Sequence, residues 1–261
     1  MGAQLMETQM ITRRNLLLGA AAALPGCTLL DGLTGDSSLL ALMRRAENLS
    51  MAAQRLLLGD RLAPEFAEAD IRQGQRPNGS TAVNSAEYLE LQAGGFANYR
   101  LEVTGLVEQP LAIPYGELTA LPARTPITRH DCVEGWSCIA KWTGVPLSVV
   151  LDRARPLLSA RYAVFHCFDA IEKSLSGEVL YYESLDMVDA RHPQTILAWG
   201  MNDRALPMAN GAPLRLRVER QLGYKMAKFV RRIELVDSFA GLGGGRGSYW
   251  ADRGYEWYAG I

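Results

Sequence analysis

The sequence predicts a mixed α+β fold, rich in β-strands, in which one main domain follows a short N-terminal segment. The composition of the 261-residue chain, 48% hydrophobic and 21% charged, is that of a globular protein with a sizeable core. Seven short segments have the alternating or continuous apolar pattern of strands, and only a few have helical spacing. Because strands and helices do not alternate regularly, a mixed, β-rich arrangement is expected.

The charge balance narrows the classes of partner. The chain carries 27 basic and 28 acidic residues, a formal net charge of -1. Such a chain has no overall field that attracts phosphate polymers, so we expect no nucleic-acid partner. Four cysteines are too few for a disulfide scaffold, and each therefore needs its own explanation.

Residues 1–27 have the pattern of an export signal. Arg13 and Arg14 precede an uncharged stretch, residues 16–30, which is shorter than the roughly 20 residues that span a bilayer. The arginine pair resembles a twin-arginine signal, which carries folded cargo. Residues 24–27 (LPGC) resemble a lipobox, so Cys27 is either a lipidated anchor or a plain signal residue. We expect a periplasmic protein, with a lipid tether if Cys27 is acylated.

The next region, residues 37–95, is predicted as a helix followed by a loop. Apolar residues recur at spacings of three and four over 38–58, and Gly59 ends this helix. Residues 72–80 (RQGQRPNGS) are polar and contain glycine and proline, which is typical of an exposed loop.

The core domain is predicted over residues 96–238. Its strands are expected at 99–107, 125–130, 162–166, 178–182, 195–201, 214–218 and 229–236. Pro146 predicts a short helix through residue 151, and Ser184 predicts a helix cap with a helix through residue 190. Asn202 and Asp203 predict a tight turn between two strands.

The tail, residues 239–261, is rich in glycine and then in aromatic residues. We expect it to fold back and pack on the core. We expect the glycine run at 243–247 to be a flexible hinge, and an anion-binding nest is the alternative.

The densest group of reactive side chains is residues 129–138 (RHDCVEGWSC), directly after a predicted strand. Arg129 and His130 are expected to favour the thiolate of Cys132. Three chemistries remain open on these residues: a zinc site, a cysteine–histidine hydrolase, and one thiolate that completes a metal carried by a cofactor.

Several blocks in the same order give a specific resemblance. They are 130–137 (HDCVEGWS), 142–147 (WTGVPL), 210–216 (NGAPLRL) and 223–228 (GYKMAK). Together they resemble the sulfite oxidase family of molybdopterin enzymes, in particular its bacterial exported branch with the methionine-sulfoxide reductases. The similarity runs from about residue 99 to residue 236.

The resemblance implies molybdopterin with molybdenum (Mo-MPT) as the cofactor and Cys132 as the metal ligand and catalytic residue. It implies further cofactor contacts at positions that match the family. These are Asn84, where the match is loose, Cys167, where the branch has threonine, and Asn210, Arg215, Met226, Ala227 and Lys228.

The implied activity is oxygen-atom transfer to or from a small sulfur-oxo substrate, of the sulfite or the sulfoxide type. Sulfite would need cations, for which Arg100, Arg129, Arg191 and Arg204 are candidates. A sulfoxide would suit a more open apolar mouth, with Trp136 or Tyr255.

Because the chain has no C-x-x-C-H motif and no cysteine cluster, a separate electron-transfer partner is implied, either a membrane haem protein or a soluble cytochrome. We expect a monomer. Two alternatives stay open: a cofactor-free envelope lipoprotein that retains the fold, and a cysteine-dependent hydrolase.

Overall fold

The structure, a computed structural model, describes residues 37–174 and 177–261. The described residues divide into two compact units, which meet in the chain between Ala53 and Gln54. Helix α1 spans Ser37–Leu58 and agrees with the predicted helix. The predicted signal and lipobox, residues 1–27, lie outside the described residues. None of the helices that the structure describes is long and apolar enough to cross a membrane.

The second unit contains four further α-helices, ten strands and several short 3₁₀ turns. The helices are α2 (Ala86–Ala93), α3 (Tyr115–Ala120), α4 (Leu147–Ala154) and α5 (Met187–Ala190). The strands are β1 (Arg100–Gly105), β2 (Leu111–Pro114), β3 (Ile127–Asp131), β4 (Ser137–Pro146), β5 (Tyr162–Ser174), β6 (Gly177–Asp186), β7 (Ile196–Met201), β8 (Arg204–Ala205), β9 (Arg215–Arg217) and β10 (Val230–Val236).

These strands form two five-stranded sheets. The first has the order β2-β1-β10-β5-β6, in which β1 and β10 are parallel and the other pairs are antiparallel. The second has the order β3-β4-β7-β8, with β9 also paired to β7, and all of its pairs are antiparallel. The predicted α+β, β-rich class is therefore confirmed.

The core lies on the alternating inward positions of these strands. Leu101 and Val103 of β1 are fully buried, whereas Arg100 and Glu102 between them are exposed. A second, smaller cluster surrounds Trp142 of β4. Burial of each such large apolar side chain stabilises the fold by about 1.5–3 kcal/mol, so these two clusters hold the elements around the site in place.

Two sequence predictions were wrong in detail. Strand β4 was missed because Gly144 and Pro146 suggested a break; Gly144 instead marks a bulge where β4 pairs with β7. Ser184 does not cap a helix, since it pairs with Val164 inside β6. Helix α5 begins after Asp186, whose carboxylate accepts a hydrogen bond from the backbone N–H of Asp189 at 3.0 Å.

The tight turn at Asn202 and Asp203 is confirmed. Both residues have positive φ values, 52° and 59°, which is the conformation of a two-residue hairpin between β7 and β8. Asn and Asp tolerate this conformation better than most residues, so the local sequence alone specifies the turn.

Candidate active site

Cys132 lies in the loop of the β3–β4 hairpin. The backbone N–H of Cys132 donates to the carbonyl of Trp136 at 2.9 Å, and the N–H of Gly135 donates to the carbonyl of Cys132 at 3.0 Å. Gly135 has a φ of 83°, which favours glycine at this position. The hairpin therefore holds the cysteine, 9% exposed, at a fixed place on the end of a strand.

A cavity of about 150 Å³ opens beside this loop. It is lined by Cys132 together with Met226 and Lys228, three of the residues that the sequence predicted for the site. Residues 78–80 of the predicted exposed loop form another part of its wall. The fold thus brings one hairpin loop, one N-terminal loop and the segment before β10 to the same cavity.

Three more predicted residues lie buried in the neighbouring segments. Arg215 on β9 is 1% exposed, and its Nη1 donates to the carbonyl of Asn210 at 3.0 Å. Ala227 is fully buried, and its carbonyl accepts from the N–H of Leu216 at 2.7 Å. These contacts attach the 210–216 and 223–228 blocks to each other, but neither Asn210 nor Ala227 lines the cavity.

Arg215 is a buried cation with unused hydrogen-bond donors. Its Nε and Nη2 atoms have no partner within the part of the chain that the structure describes. Burial, and the nearby charge of Arg217, lower the pKa of Arg215 to about 9. A guanidinium with two free donors in such a place suits an anionic ligand that accepts from both.

Lys228 is a second buried cation. Its ammonium donates to the carbonyl of Ala209 at 2.8 Å and to the carbonyl of Ser80. Burial and the charge of Arg215 lower its pKa to about 7. Gly211 is required beside it, because a Cβ there would approach the Cβ of Lys228 to 2.8 Å. A negatively charged ligand near Lys228 would favour its charged form, which burial and Arg215 disfavour.

The expected activation of Cys132 by its neighbours was wrong. Arg129 is exposed and donates to Asp131 at 2.9 Å, so its charge is engaged away from the thiol. Burial, together with the nearby charge of Arg217, lowers the pKa of His130 to about 2. Burial also raises the pKa of the Cys132 thiol. Burial thus favours the protonated thiol, and a bound metal would favour the thiolate.

His130 is instead a structural residue. Its Nδ1 lies 3.0 Å from Nη1 of Arg217, which can only donate, so Nδ1 accepts. Arg217 in turn pairs with Glu219, both side chains being fully buried. Gly223 packs directly on the imidazole, since a Cβ at this position would lie 2.4 Å from it. This contact fixes the 223–228 block against the strand that precedes Cys132.

Two further predicted residues, like Arg215, Asn210 and Ala227, lie outside the cavity lining. Asn84 is exposed in the segment before α2. Cys167 is 1% exposed on β5, where its thiol faces the carbonyl of Phe165 at 3.9 Å. Their assignment as cofactor contacts stays a prediction. All three cysteines that the structure describes are free thiols.

Asp169 was not among the site residues predicted from the sequence. It lines the cavity and is 3% exposed. Burial raises its pKa, and its Oδ1 has no partner among the described residues. The signal was present, because an acidic residue at this point interrupts an otherwise apolar and aromatic strand, residues 163–171. Such a residue on a buried strand is a candidate for a site.

The tail also contributes to the cavity, through Trp250 and Tyr255, opposite Tyr181 and Tyr224 of the core. The glycine run before them cradles the chain's own carboxylate: Asp252 accepts from the N–H of Gly244 at 2.8 Å. The glycine run therefore has the geometry of an anion-binding nest, and the anion is the carboxylate of Asp252.

The described residues contain no group of three or more His, Cys, Asp and Glu that could hold a metal ion by themselves. They also include no hydrogen bond between Cys132 and a histidine that could act as a base; His166, for example, contacts Glu234 at 2.7 Å. Of the three chemistries considered for these residues, the remaining one is a single cysteine ligand that completes a metal carried by a cofactor.

A family model described as the oxidoreductase molybdopterin-binding domain matches residues 89–240, more than half of the chain. The chain belongs to this family. The resemblance found in the sequence is thereby confirmed, as are molybdopterin as the cofactor and a molybdenum-dependent oxidoreductase as the enzyme class.

Relatives of known name are similar to this molybdopterin-binding chain over different lengths. A putative protein-methionine-sulfoxide reductase subunit, YedZ1, from Azospira oryzae is 36% identical over 95% of this chain and 86% of its own length. The protein-methionine-sulfoxide reductase catalytic subunit MsrP from Gluconobacter oxydans is 37% identical over 53% of this chain and 47% of its own. The chain thus spans about half the length of the latter relative.

Among solved structures, the sulfane dehydrogenase SoxCD from Paracoccus pantotrophus is similar to the molybdopterin-binding chain with a TM-score of 0.48 and 26% identity. This similarity covers 54% of this chain and 39% of SoxCD.

Proposed function

We propose that this chain is a periplasmic molybdopterin-dependent oxidoreductase that removes the oxygen atom from sulfoxides of the methionine-sulfoxide type. The observation that carries the proposal is the position of Cys132 in one cavity with Met226 and Lys228. The buried Arg215, whose charge acts on Lys228, has two unused donors in the neighbouring segment. The names of the relatives support the substrate class.

The residues fit the cofactor. Sγ of Cys132 would bind the metal, since a soft sulfur ligand suits a metal that a dithiolene already holds through sulfur. The free donors of Arg215 and the ammonium of Lys228 would bind the phosphate end. The unpartnered Oδ1 of Asp169 would accept from a ring N–H group. When bound, the cofactor supplies the two-electron redox chemistry.

The chain's own task is to admit a sulfoxide and supply protons. Reduction consumes two protons and two electrons, R₂SO + 2H⁺ + 2e⁻ → R₂S + H₂O. Two carboxyl groups line the cavity. Burial raises the pKa of Asp169, so it holds its proton more firmly than an ordinary carboxyl. Glu134 is exposed at the mouth, where it accepts from Nε1 of Trp136 at 2.9 Å.

The cavity wall favours a sulfoxide over sulfite. The four arginines considered for sulfite lie elsewhere: none of Arg100, Arg129, Arg191 and Arg204 is among the cavity residues. Arg76 lies near the mouth, but it is paired with Glu134 at 3.5 Å. Because the cofactor would engage Lys228 and Arg215, a dianion would find few uncompensated cations, whereas Tyr255 and Trp250 offer an apolar surface.

The electrons come from a separate protein. The described residues form no second metal site, and the sequence has no haem-attachment motif. We propose a one-electron donor of the haem class, either a membrane haem protein or a soluble cytochrome. Twin-arginine export, a lipid tether at Cys27 and a monomeric state belong to the same proposal.

The test is purification from a host that makes molybdopterin, followed by metal analysis and two assays. Reduced viologen with methionine sulfoxide measures reduction, and ferricyanide with sulfite measures oxidation. We expect about one molybdenum per chain and turnover in the first assay. Metal-free protein would favour the envelope lipoprotein, and ester hydrolysis without metal would favour the hydrolase.

Cys132→Ala and Cys138→Ala form a matched pair, because both cysteines are buried on the β3–β4 hairpin and only Cys132 lines the cavity. Cys132→Ala should lose turnover by a factor of about 10³ or more, since it removes the ligand that fixes the metal. Cys138→Ala should retain it. Full activity of the Cys132 variant would refute the assigned ligand.

A further inference from the structure

Residues 241–261 of the C-terminal tail lie beyond residues 89–240 that the family model matches, yet they form part of the active cavity. Trp250 and Tyr255 of this segment line the cavity together with Tyr224 of the core. The three rings are here called the aromatic corner. The cavity is therefore completed by residues that the family domain itself does not include.

Within the aromatic corner, the ring of Tyr255 contacts both of the other rings. The centroids of Trp250 and Tyr255 are 5.1 Å apart with the rings tilted by 47°. Those of Tyr224 and Tyr255 are 5.4 Å apart and nearly perpendicular, at 73°. The N–H of Tyr255 also donates to the carbonyl of Trp250 at 3.1 Å. These are favourable aromatic geometries, so the rings support one another as a continuous wall.

The segment that carries the corner is held at several points. The N–H of Leu222 donates to the carbonyl of Ala259 at 2.9 Å, and the N–H of Tyr249 donates to the carbonyl of Tyr182 at 3.0 Å. Nε1 of Trp257 donates to Oγ of Ser184 at 2.8 Å. Because the backbone is attached on both sides of the rings, the corner is positioned before any substrate arrives.

The aromatic corner faces a cavity whose other residues include Cys132 and Glu134. Tyr255 is 40% exposed, so one ring of the corner remains open to an incoming molecule. A sulfoxide has a polar S–O group and two carbon substituents. Aromatic rings bind sulfur and apolar carbon well, and they offer little to a hydrated anion.

We propose that the aromatic corner is the specificity-determining wall of this site. It binds the larger apolar substituent of a sulfoxide while the S–O group points toward Cys132, and it makes little contact with the smallest sulfoxides. The inference rests on the proposed function for its substrate class. It assigns the selectivity to Trp250 and Tyr255, which lie outside the family domain.

The test compares methyl p-tolyl sulfoxide with dimethyl sulfoxide on the molybdenum-loaded enzyme, with reduced viologen as the electron donor. Tyr255→Ala should raise KM for the aryl sulfoxide about tenfold and KM for dimethyl sulfoxide by less than about twofold, because only the larger substituent reaches the ring. Tyr255→Phe keeps the ring and should restore the wild-type ratio of the two KM values.

Ile261→Ala is the control in the same segment. The Ile261 side chain is 48% exposed and does not line the cavity. This variant should leave both KM values unchanged. Molybdenum content, measured for every variant, separates loss of the wall from loss of the cofactor.

Calorimetry of methyl p-tolyl sulfoxide binding, in the absence of reductant, measures the affinity independently of turnover. Wild-type binding that Tyr255→Ala weakens, without any sulfoxide reduction, would support the wall and refute the proposed function. Normal reduction with an unchanged KM ratio in Tyr255→Ala would overturn the wall and leave the function standing. Absence of binding by the wild type, or an equal loss for both sulfoxides, would also overturn it.

Discussion

Nη1 of Arg215 donates to the carbonyl of Asn210 at 3.0 Å, and this is the one hydrogen bond that the buried guanidinium makes among the described residues. This hydrogen bond orients the guanidinium and leaves its other two nitrogens, Nε and Nη2, to donate to a ligand. In the metal-free protein, the charged form of Arg215 is destabilised, since burial disfavours its charge. The cofactor would remove that cost.

Arg215→Lys is therefore expected to lower the molybdopterin content of the purified protein about tenfold, because an ammonium cannot reproduce the planar pair of donors. Molybdenum analysis and fluorescence of the oxidised pterin measure the loss. Arg191→Lys is the control, as Arg191 forms an exposed ion pair with Asp152. Full cofactor content in Arg215→Lys would show that Arg215 is only a core residue.

The buried pair of Lys225 and Glu183 is expected to control stability. The ammonium contacts the Glu183 carboxylate and donates to the carbonyl of Ser184 at 2.9 Å. Burial raises the pKa of Glu183, and Lys225 opposes this shift. Glu183→Gln should lower the free energy of unfolding by about 3–5 kcal/mol, since it leaves a buried charge without its partner.

Urea unfolding of the metal-free protein measures this loss. Glu117→Gln, at the exposed Arg153–Glu117 pair, should change the free energy of unfolding by less than about 0.5 kcal/mol. The double variant Glu183→Leu with Lys225→Met should recover most of the stability. If Glu183→Gln unfolds at the wild-type urea concentration, the pair is not the constraint that its burial implies.

Asp252 is expected to hold the glycine-rich part of the tail. Its carboxylate accepts from the N–H groups of Gly244 and Arg246, at 2.8 Å and 3.1 Å, and from the hydroxyl of Tyr182. Asp252→Ala removes all three contacts and should increase amide hydrogen exchange over residues 243–255 by about tenfold or more. The exposed Asp237→Ala is the control. Equal protection in both variants would contradict this role.

His166 is expected to make stability depend on pH. Burial lowers its pKa, as does the charge of Arg232, while Glu234 acts in the opposite direction. Since the unfolded histidine takes up a proton first as the pH falls below about 6.5, the native state loses stability there. His166→Gln should weaken the loss between pH 7.5 and 5.5 in urea unfolding. An NMR titration that gives His166 a pKa above 6.5 would refute the sign.

The family could be predicted from the sequence, because the 130–137 block and the later blocks are local patterns. Cys132 as the metal ligand stays a prediction. The expected activation of Cys132 by Arg129 and His130, which are close to it in the chain, was wrong. In the fold, Arg129 donates to Asp131, and His130 contacts Arg217, 87 positions away. Consecutive strand residues point to opposite faces of a sheet, so neighbours in the chain need not share one environment.

By itself the sequence determined the class of fold, the family and the hairpin turn at Asn202 and Asp203. These features depend on local patterning and on residue chemistry, which a single chain displays directly. Only the tertiary structure decided that Asp169 of β5 and Trp250 and Tyr255 of the tail share a cavity with Cys132. The reason is physical: a cavity is formed by segments distant in sequence, and their meeting depends on sheet pairing and packing throughout the domain.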